Sequence, residues 1–135
     1  MKVQGQCHCG AIQYEAEVQP GSLRICNCLD CQIMSGSAFR TNIAASAETF
    51  HLLQGKPRHY VKTADSGAQR VHGFCEQCGT QLYATNPGTP ENYSLRAGAL
   101  AQRSQLGGPR AQIWTQRRVN WMPSLDGVDE IDGQP

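Results

Sequence analysis

The sequence predicts a mainly β fold, built from short antiparallel sheets with little helix, in a single domain that spans residues 1–135. Two observations favour this fold class. Short stretches in which apolar and polar residues alternate at period two are separated by turns that contain glycine or proline, as half-buried strands are. The seven cysteines stand in three tight groups, which in a reducing compartment is typical of metal-binding loops rather than of disulfides.

The alternation places eight strands along the chain. In the first of them, Ile12, Tyr14, Ala16 and Val18 fall on one face, which predicts a half-buried strand. The predicted strands cover residues 11–18, 23–25, 39–44, 58–63, 69–74, 81–84, 93–100 and 111–114.

The remaining segments are predicted to be turns and loops. Residues 32–37 are too short and too rich in glycine and serine for more than one helical turn, and Ser46 is expected to cap another single turn. A polar turn is predicted at residues 65–67. The tail after residue 114, including the acidic segment 126–130, is expected to be a solvent-facing loop.

Charge and hydropathy exclude two classes of partner. The chain has 12 Lys and Arg residues against 11 Asp and Glu, a net charge of +1, so it lacks the basic face that nucleic-acid binding requires. No apolar run approaches the length of a membrane-spanning helix, and residues 1–6 lack the hydrophobic core of a signal peptide. We therefore predict a cytoplasmic protein without membrane or nucleic-acid partners, whose thiols stay reduced for metal binding or reaction.

Two of the three cysteine groups match each other. Each consists of two cysteines followed at once by a glycine, and glycine permits the positive φ that lets backbone amides point toward thiolates. A structural zinc site takes four ligands in a tetrahedron, with sulfur about 2.3 Å from the ion. We therefore predict that these two groups form one closed structural zinc site, made of Cys7, Cys9, Cys75 and Cys78.

The middle group, Cys26, Cys28 and Cys31, lacks the following glycine and has no fourth cysteine left to join it. Three ligands leave one coordination position free for water or a substrate thiol, as in zinc sites that do chemistry. The division into four and three thiols predicts two zinc ions per chain. Spacing alone also permits an alternative in which Cys75 or Cys78 belongs to the middle group.

Five motifs extend over nearly the whole chain. They are CHCGAIQYE at residues 7–15, CNCLDC at 26–31, SGSAF at 35–39, FCEQCGT at 74–80 and IWTQRRVNW at 113–121. Together they resemble the glutathione-dependent formaldehyde-activating enzyme family, also called the centromere protein V family. The resemblance implies a β-rich Mss4-like fold, structural zinc on the two outer cysteine pairs and reactive zinc on the middle three. It also implies carbon-sulfur lyase activity, exemplified by adding formaldehyde to the thiol of glutathione. Asn27 and Gln32 depart from the motif, in which many relatives have His and Arg.

Two chemical roles remain open for the middle thiols. In one, a substrate thiol fills the free position on the metal and attacks an aldehyde carbonyl beside it. In the other, Cys28, which is flanked by Cys26 and Cys31, leaves the metal and forms a mixed disulfide with glutathione. The predicted partners are a small-molecule thiol, with glutathione as co-substrate, and an aldehyde. The sequence predicts no particular oligomeric state.

Several further side chains are weaker candidates. Histidines that can fill the fourth zinc position, although a surface or core position is their default, are His8, His51, His59 and His72. Arginines that can hold the carboxylates of an acidic thiol, although by default they are solvated, are Arg40, Arg96, Arg117 and Arg118. Side chains that can wall the reactive pocket are Met34 and Phe39, although core packing is the default for Phe39. The expected packing anchors are Trp114 and Trp121.

Two other functions fit the sequence less well. A zinc-stabilised binding module would gain nothing from keeping three exposed thiols outside a closed site. A thiol redox protein would use one cysteine as nucleophile and another as resolver, but every cysteine here has metal-binding neighbours. The first alternative predicts either a fourth ligand at the middle group or no metal there.

Overall fold

The computed structural model describes residues 1–64 and 66–135, and within that range it contains eleven β-strands, one α-helix and four short 3₁₀ turns. The strands are β1 (Lys2–Gln6), β2 (Gln13–Glu17), β3 (Arg24–Cys26), β4 (Arg40–Ser46), β5 (His51–Gln54), β6 (Arg58–Thr63), β7 (Gln69–Phe74), β8 (Gln81–Thr85), β9 (Asn92–Arg96), β10 (Ala111–Ile113) and β11 (Asp129–Ile131). The helix is α1 (Leu29–Ser35), and the 3₁₀ turns cover Ala47–Thr49, Ala97–Ala99, Arg103–Gln105 and Thr115–Arg117. The predicted mainly β fold is confirmed. Asp65, where the predicted polar turn begins, lies outside the described residues.

The strands form two sheets. The small sheet has the order β1-β2-β5, and the large sheet has the order β11-β10-β3-β4-β9-β8-β7-β6. Neighbouring strands are antiparallel except at β10, which runs parallel to both β3 and β11. The large sheet is therefore mixed rather than purely antiparallel as predicted, because the long connection from β3 to β10 brings the chain back in the same direction.

The hydrophobic core lies between the two sheets. Val3 and Tyr14 are buried in it from the small sheet, and Ile43, Leu82 and Leu95 from the large sheet. Each such side chain contributes about 1.5 to 3 kcal/mol when fully buried. The alternation predicted for the first strand is confirmed, since β2 buries every second residue. Because side chains alternate along a strand, the residues next to Ile43 face away from this core.

The pattern of apolar residues misses β1, because its five residues, KVQGQ, include one large apolar side chain. Gly5 of β1 pairs with Tyr14 of β2, and a Cβ at Gly5 would lie 1.9 Å from Cζ of the tyrosine. Glycine leaves room for the aromatic ring here. Gly5 thus weakens the apolar pattern by which β1 could be predicted, and it is also the residue that the pairing of β1 with β2 requires.

The expectation of a loop-like tail is wrong. Residues 129–131 form β11, which pairs with β10 along its whole length. Acidic residues are depleted in strands, so the sequence of this segment does not indicate one. The side chains of Asp129 and Glu130 are exposed, as predicted, and the strand is held through its main chain.

Residues 32–35 form about one helical turn, as predicted for this segment, but the helix to which they belong begins earlier than expected. α1 begins at Leu29, inside the CNCLDC motif, and is seven residues long. Cys28 is its N-cap, and Gly36, with φ 65°, is its C-cap. Glycine therefore ends the helix here, as it commonly does. No helix in the described part of the chain is long and apolar enough to cross a membrane.

Two smaller elements bear on the predictions. The cap at Ser46 is confirmed, since its Oγ accepts a hydrogen bond from the Glu48 amide at 3.3 Å. β9 ends at Arg96 and is followed by a 3₁₀ turn, so the strand predicted at residues 93–100 is shorter than expected.

Candidate metal centres

Three turns bring the seven cysteines into two groups. Residues 7–9 lie between β1 and β2 of the small sheet, residues 75–78 lie between β7 and β8 of the large sheet, and residues 26–31 lead from β3 into α1. All seven cysteines are free thiols. The four sulfur atoms of the first two turns lie within 4.8 Å of one another, and so do the three of the last. We call these the four-thiol group and the three-thiol group.

The four-thiol group has the dimensions of a tetrahedral zinc site. The Sγ atoms of Cys7 and Cys9 are 3.6 Å apart, and those of Cys9 and Cys75 are 3.7 Å apart. Four sulfur atoms about 2.3 Å from a central zinc ion would be separated by about 3.8 Å. The residues present, including Cys78, therefore fit a closed zinc site that joins the small sheet to the large one.

The two turns of this group are built alike. The Cys7 amide donates to the Ile12 carbonyl at 3.1 Å, and the Cys75 amide donates to the Thr80 carbonyl at 3.0 Å. The glycine in each turn has a positive φ, 80° in the first and 77° in the second. In the first turn, the Ile12 amide donates to the Sγ of Cys7 at 3.2 Å. This is the amide-to-sulfur contact that the glycine predicts.

Thr80 connects the two turns and favours the thiolate of Cys78. Its hydroxyl oxygen lies 3.2 Å from the Cys78 Sγ and accepts a hydrogen bond from the His8 amide at 3.0 Å. This hydroxyl, followed by the amides of Cys9 and Thr80, lowers the pKa of Cys78 to about 5. The thiolate is the form of cysteine that binds metal.

The three-thiol group is held by a strand end and a helix cap. Cys26 ends β3 and is buried, whereas Cys28 and Cys31 are half-buried. The Sγ of Cys28 accepts a hydrogen bond from the Cys31 amide at 3.4 Å, which caps α1. Hydrogen bonds from the thiols of Cys26 and then Cys31 lower the pKa of Cys28.

A fourth ligand is not supplied by residues 1–64 or 66–135, where no histidine, acidic residue or further cysteine lies with the three thiols. His72 is instead buried next to Arg96, and Nε2 of His59 lies 2.8 Å from the Tyr83 hydroxyl. Among the described residues, the three-thiol group therefore leaves one coordination position open.

Asn27 and Gln32 fasten the three-thiol group to the C-terminal part of the chain. Asn27 is buried and donates to the Ile113 carbonyl from its backbone at 3.1 Å and from its side chain at 3.0 Å. The Gln32 side chain donates to the carbonyl of Asn27 at 2.7 Å and to that of Arg117 at 2.9 Å. The two positions at which the sequence departs from the motif thus both carry side-chain amides that bind main-chain carbonyls.

Gln32→Ala is expected to weaken metal binding at the three-thiol group by about tenfold or more, because losing hydrogen bonds around a metal site typically costs about 10- to 100-fold in affinity. The four-thiol group should keep its metal. Chelator competition that resolves the two sites measures the effect. Gln54→Ala is the matched control, because Gln54 makes a similar bond to the Gly10 carbonyl at 3.2 Å, beside the other group. Equal weakening of both sites in Gln32→Ala would contradict this role.

A salt bridge between Lys62 of β6 and Asp30 lies next to the three-thiol group. The hydrogen bond to Asp30 raises the pKa of Lys62, and the negative charges of Cys28 and Cys31 act in the same direction. Lys62 is a site residue that sequence reasoning misses, because strand pairing rather than spacing brings it to this loop. Its partner Asp30, inside the cysteine motif, is the signal that could have indicated a cation there.

Two of the four candidate arginines are buried, contrary to the expectation that they are solvated. Arg40 is 5% exposed and Arg96 is 7% exposed. Arg117 is exposed, and Arg118 is half-buried and forms a salt bridge with Glu130. Only the first two are therefore placed to act inside the protein.

The two tryptophans have different surroundings. Trp121 is 69% exposed, so its expected role as a packing anchor is wrong. Trp114 is half-buried with φ 57°, and its Nε1 donates to the Gln134 side chain at 3.1 Å. The 3₁₀ turn that follows Trp114 carries the Arg117 carbonyl to which Gln32 binds.

A cavity of about 380 Å³ lies between α1 and the turn that carries Cys78. The residues that line it include Met34, Ser35, Phe39, Arg40, Thr80 and Arg96. Met34 and Phe39 thus line a cavity, but none of the three thiols is among its lining residues, so their role in a reactive pocket stays a prediction.

Comparisons with known proteins agree with one another. A family model described as glutathione-dependent formaldehyde-activating enzyme matches residues 2–117, a range that includes both thiol groups and the cavity. A curated protein of Halomonas elongata, provisionally named as a glutathione-dependent formaldehyde-activating enzyme, is 23% identical over 127 residues, which are 90% of this chain and 80% of that protein. A crystal structure of a Rhodobacter sphaeroides protein has a TM-score of 0.58 at 24% identity and covers 73% of this chain and 87% of that one. The structural match supports the fold.

Proposed function

Since this chain belongs to the glutathione-dependent formaldehyde-activating enzyme family, we propose that it is a zinc-dependent enzyme of the carbon-sulfur lyase type. Its substrate is the adduct of a thiol with a small aldehyde, and glutathione and formaldehyde are the pair that the family description names. The observation that carries the proposal is the three-thiol group, to which the described chain adds no fourth ligand. A closed site stabilises a fold, whereas an open one also admits a reactant.

The two thiol groups are assigned different roles. Cys7, Cys9, Cys75 and Cys78 would hold a structural zinc ion, because their spacing fits a closed tetrahedron. The reactive zinc ion would be held by Cys26, Cys28 and Cys31. When bound there, zinc supplies Lewis-acid chemistry that lowers the pKa of a thiol at the open position, so that the thiol is a nucleophile at neutral pH.

The proposed reaction forms one carbon-sulfur bond without oxidation or reduction. The substrate sulfur attacks the aldehyde carbon, the π electrons of the carbonyl move to oxygen, and the thiol proton ends on that oxygen as a hydroxyl. The reverse reaction breaks the same bond. The cavity lined by Met34 and Phe39 would hold the reactants, and the neutral Lys62–Asp30 salt bridge lies beside the thiols.

Cys28 also supports a second route. It is half-buried at the helix cap between the other two thiols, so its sulfur can be reached from outside. In this route the Cys28 thiolate attacks glutathione disulfide, forms a mixed disulfide with one half and releases the other as a thiolate. The oxidant is glutathione disulfide itself.

Addition of glutathione is expected to change the ultraviolet and visible spectrum of the cobalt-substituted protein, because a new sulfur ligand alters the metal's electronic transitions. S-methylglutathione, which has no free thiol, is the matched control and should leave the spectrum unchanged. Nuclear magnetic resonance of labelled formaldehyde mixed with glutathione then tests whether the zinc protein accelerates adduct formation. An unchanged cobalt spectrum across a series of biological thiols would favour a zinc-stabilised binding module instead.

We further propose that the chain acts as one domain in the cytoplasm. Both sheets contribute ligands to the four-thiol group, so neither sheet has a complete group of its own. Seven free thiols suit a reducing compartment.

A further inference from the structure

Arg40 and Arg96 are buried cations. Among the residues that the structure describes, neither takes part in a salt bridge. Within residues 1–64 and 66–135, the Nε and Nη2 atoms of Arg40 and the Nε of Arg96 have no hydrogen-bond partner. Burial of a charged group is unfavourable unless the group is paired and hydrogen-bonded, and the described part of the chain does not fully pair either guanidinium group.

Both arginines stand on the face of the large sheet that carries the three-thiol group. Arg40 of β4 lies directly across from Cys26 of β3, and Asn42, two residues along β4, lies across from Arg96 of β9. Directly opposed residues, and residues two apart on a strand, share one face of a sheet. The guanidinium of Arg96 donates to the Asn42 side chain, and its Nη2 lies 3.1 Å from Nδ1 of His72.

The same two arginines line the cavity of about 380 Å³, where they are joined by the hydroxyl side chains of Ser35, Thr41 and Thr80. This volume is near the lower end of the range for small-molecule pockets, about 300 to 1,000 Å³. Among the described residues that line the cavity, none is acidic. The cavity therefore offers the guanidinium groups of Arg40 and Arg96 to a short ligand, and its described lining carries no negative charge.

The charge of the metal-bound thiols neutralises only part of the positive charge of Arg40 and Arg96. Three thiolates around a divalent cation carry a net charge of about −1, whereas two arginines are present. Lys62 is already paired with Asp30. His72 is neutral near pH 7, because burial and then the charge of Arg96 lower its pKa to about 4. A substrate thiolate could balance the second arginine, but it would not supply hydrogen-bond acceptors within the cavity.

We propose that Arg40 and Arg96 form a carboxylate-binding subsite that selects thiol substrates with an acidic group. The inference rests on the function proposed above, because it places the substrate thiol beside Cys26. A guanidinium group presents parallel N–H donors that match the two oxygens of a carboxylate. With the substrate thiol bound as a thiolate, the metal site carries a charge of about −2 that balances the two arginines, so a carboxylate leaves one negative charge in excess where a phosphate dianion leaves two. The smaller excess favours the carboxylate.

Two thiols that differ only in carrying a carboxylate or an amide at the end away from the sulfur test this selectivity. 3-Mercaptopropionate is expected to bind the cobalt-substituted protein about tenfold more tightly, or more, than 3-mercaptopropionamide, because hydrogen bonds to a charged group are the stronger kind. Titration of the cobalt spectrum gives both dissociation constants. Equal affinity for the acid and the amide would overturn the proposal and leave the arginines as mere counter-ions of the thiolates.

Variants of single arginines test whether Arg40 causes the preference for the acid over the amide. Arg40→Gln should reduce the ratio between the two thiols to within about twofold, whereas Arg40→Lys should retain part of it, because lysine keeps the charge but not the paired donors. Arg24→Gln is the control, since Arg24 is an exposed neighbour that pairs with Asn42 from the other side and its loss changes the net charge equally. An Arg40→Gln protein that keeps the full preference would refute the assignment.

A probe without a thiol separates this inference from the proposed function and needs no variant. Propionate should shift the Nε–H resonances of Arg40 and Arg96 in the zinc-loaded protein, whereas propionamide should not, and inorganic phosphate should act more weakly than propionate. If propionate shifts these resonances while no thiol alters the cobalt spectrum, the subsite stands and the proposed function fails. Resonances that respond equally to propionate and phosphate would overturn the choice of a carboxylate, and resonances that respond to neither would overturn the subsite.

Discussion

Replacing Cys75 with alanine is expected to unfold the protein. Cys75 is 1% exposed and belongs to the four-thiol group that joins the small sheet to the large one. Binding of structural zinc contributes about 10 to 16 kcal/mol in small zinc-dependent domains, whereas a typical domain is stable by about 5 to 15 kcal/mol. Losing one ligand removes most of the metal's contribution and leaves three thiols that repel one another once ionised. Circular dichroism during thermal denaturation, with zinc content measured on the same sample, tests this expectation.

A strong chelator applied to the wild-type protein supplies an independent measurement of the same effect. If the four-thiol group stabilises the fold, full removal of zinc should lower the denaturation midpoint as far as Cys75→Ala does. The control is a cysteine replacement in the three-thiol group, which should leave the midpoint near that of the wild type. A Cys75→Ala protein with one zinc ion fewer but an unchanged midpoint would show that the group is not structural.

Those parts of the site that depend on local chain geometry could be predicted from the sequence. A cysteine pair followed by glycine specifies its own turn, because the bonds that close it span only a few residues, as from the Cys75 amide to the Thr80 carbonyl. The alternation in β2 likewise reports burial directly, through Tyr14 and Ala16. Such signals also place the three middle thiols in one loop.

Other parts depend on strand pairing between distant residues, which no local pattern contains. Arg40 lies across from Cys26 only because β3 and β4 pair in one particular register. Lys62 contacts Asp30 although four strands separate β6 from β3 in the large sheet, so neither chain spacing nor a local pattern indicates this pair. A charged residue is by default expected at the surface, so the sequence alone does not indicate that Arg40 is buried.

Replacing Cys28 with serine is expected to reduce the zinc content from two ions per chain to one and to abolish the thiol-aldehyde activity while the fold is kept. Serine preserves the helix cap, because its hydroxyl can accept the hydrogen bond from the Cys31 amide that the Cys28 Sγ accepts at 3.4 Å. Every residue of α1 is exposed or half-buried, so loss of this ion should disturb the core little. We expect a decrease of about a hundredfold or more in rate, because Lewis-acid catalysis is worth several kcal/mol and about 1.4 kcal/mol corresponds to tenfold.

Cys28→Ala separates the metal from the cap, because it removes both the ligand and the acceptor for the Cys31 amide. It should hold one zinc ion, as Cys28→Ser does, and lose in addition about 1 kcal/mol of helix stability. Elemental analysis and adduct-formation rates of the two variants are then decisive. One ion in the wild type and no loss in Cys28→Ser would contradict the division into two metal sites. Two ions in Cys28→Ser together with lost activity would instead favour the second route, in which the sulfur of Cys28 itself is linked to glutathione.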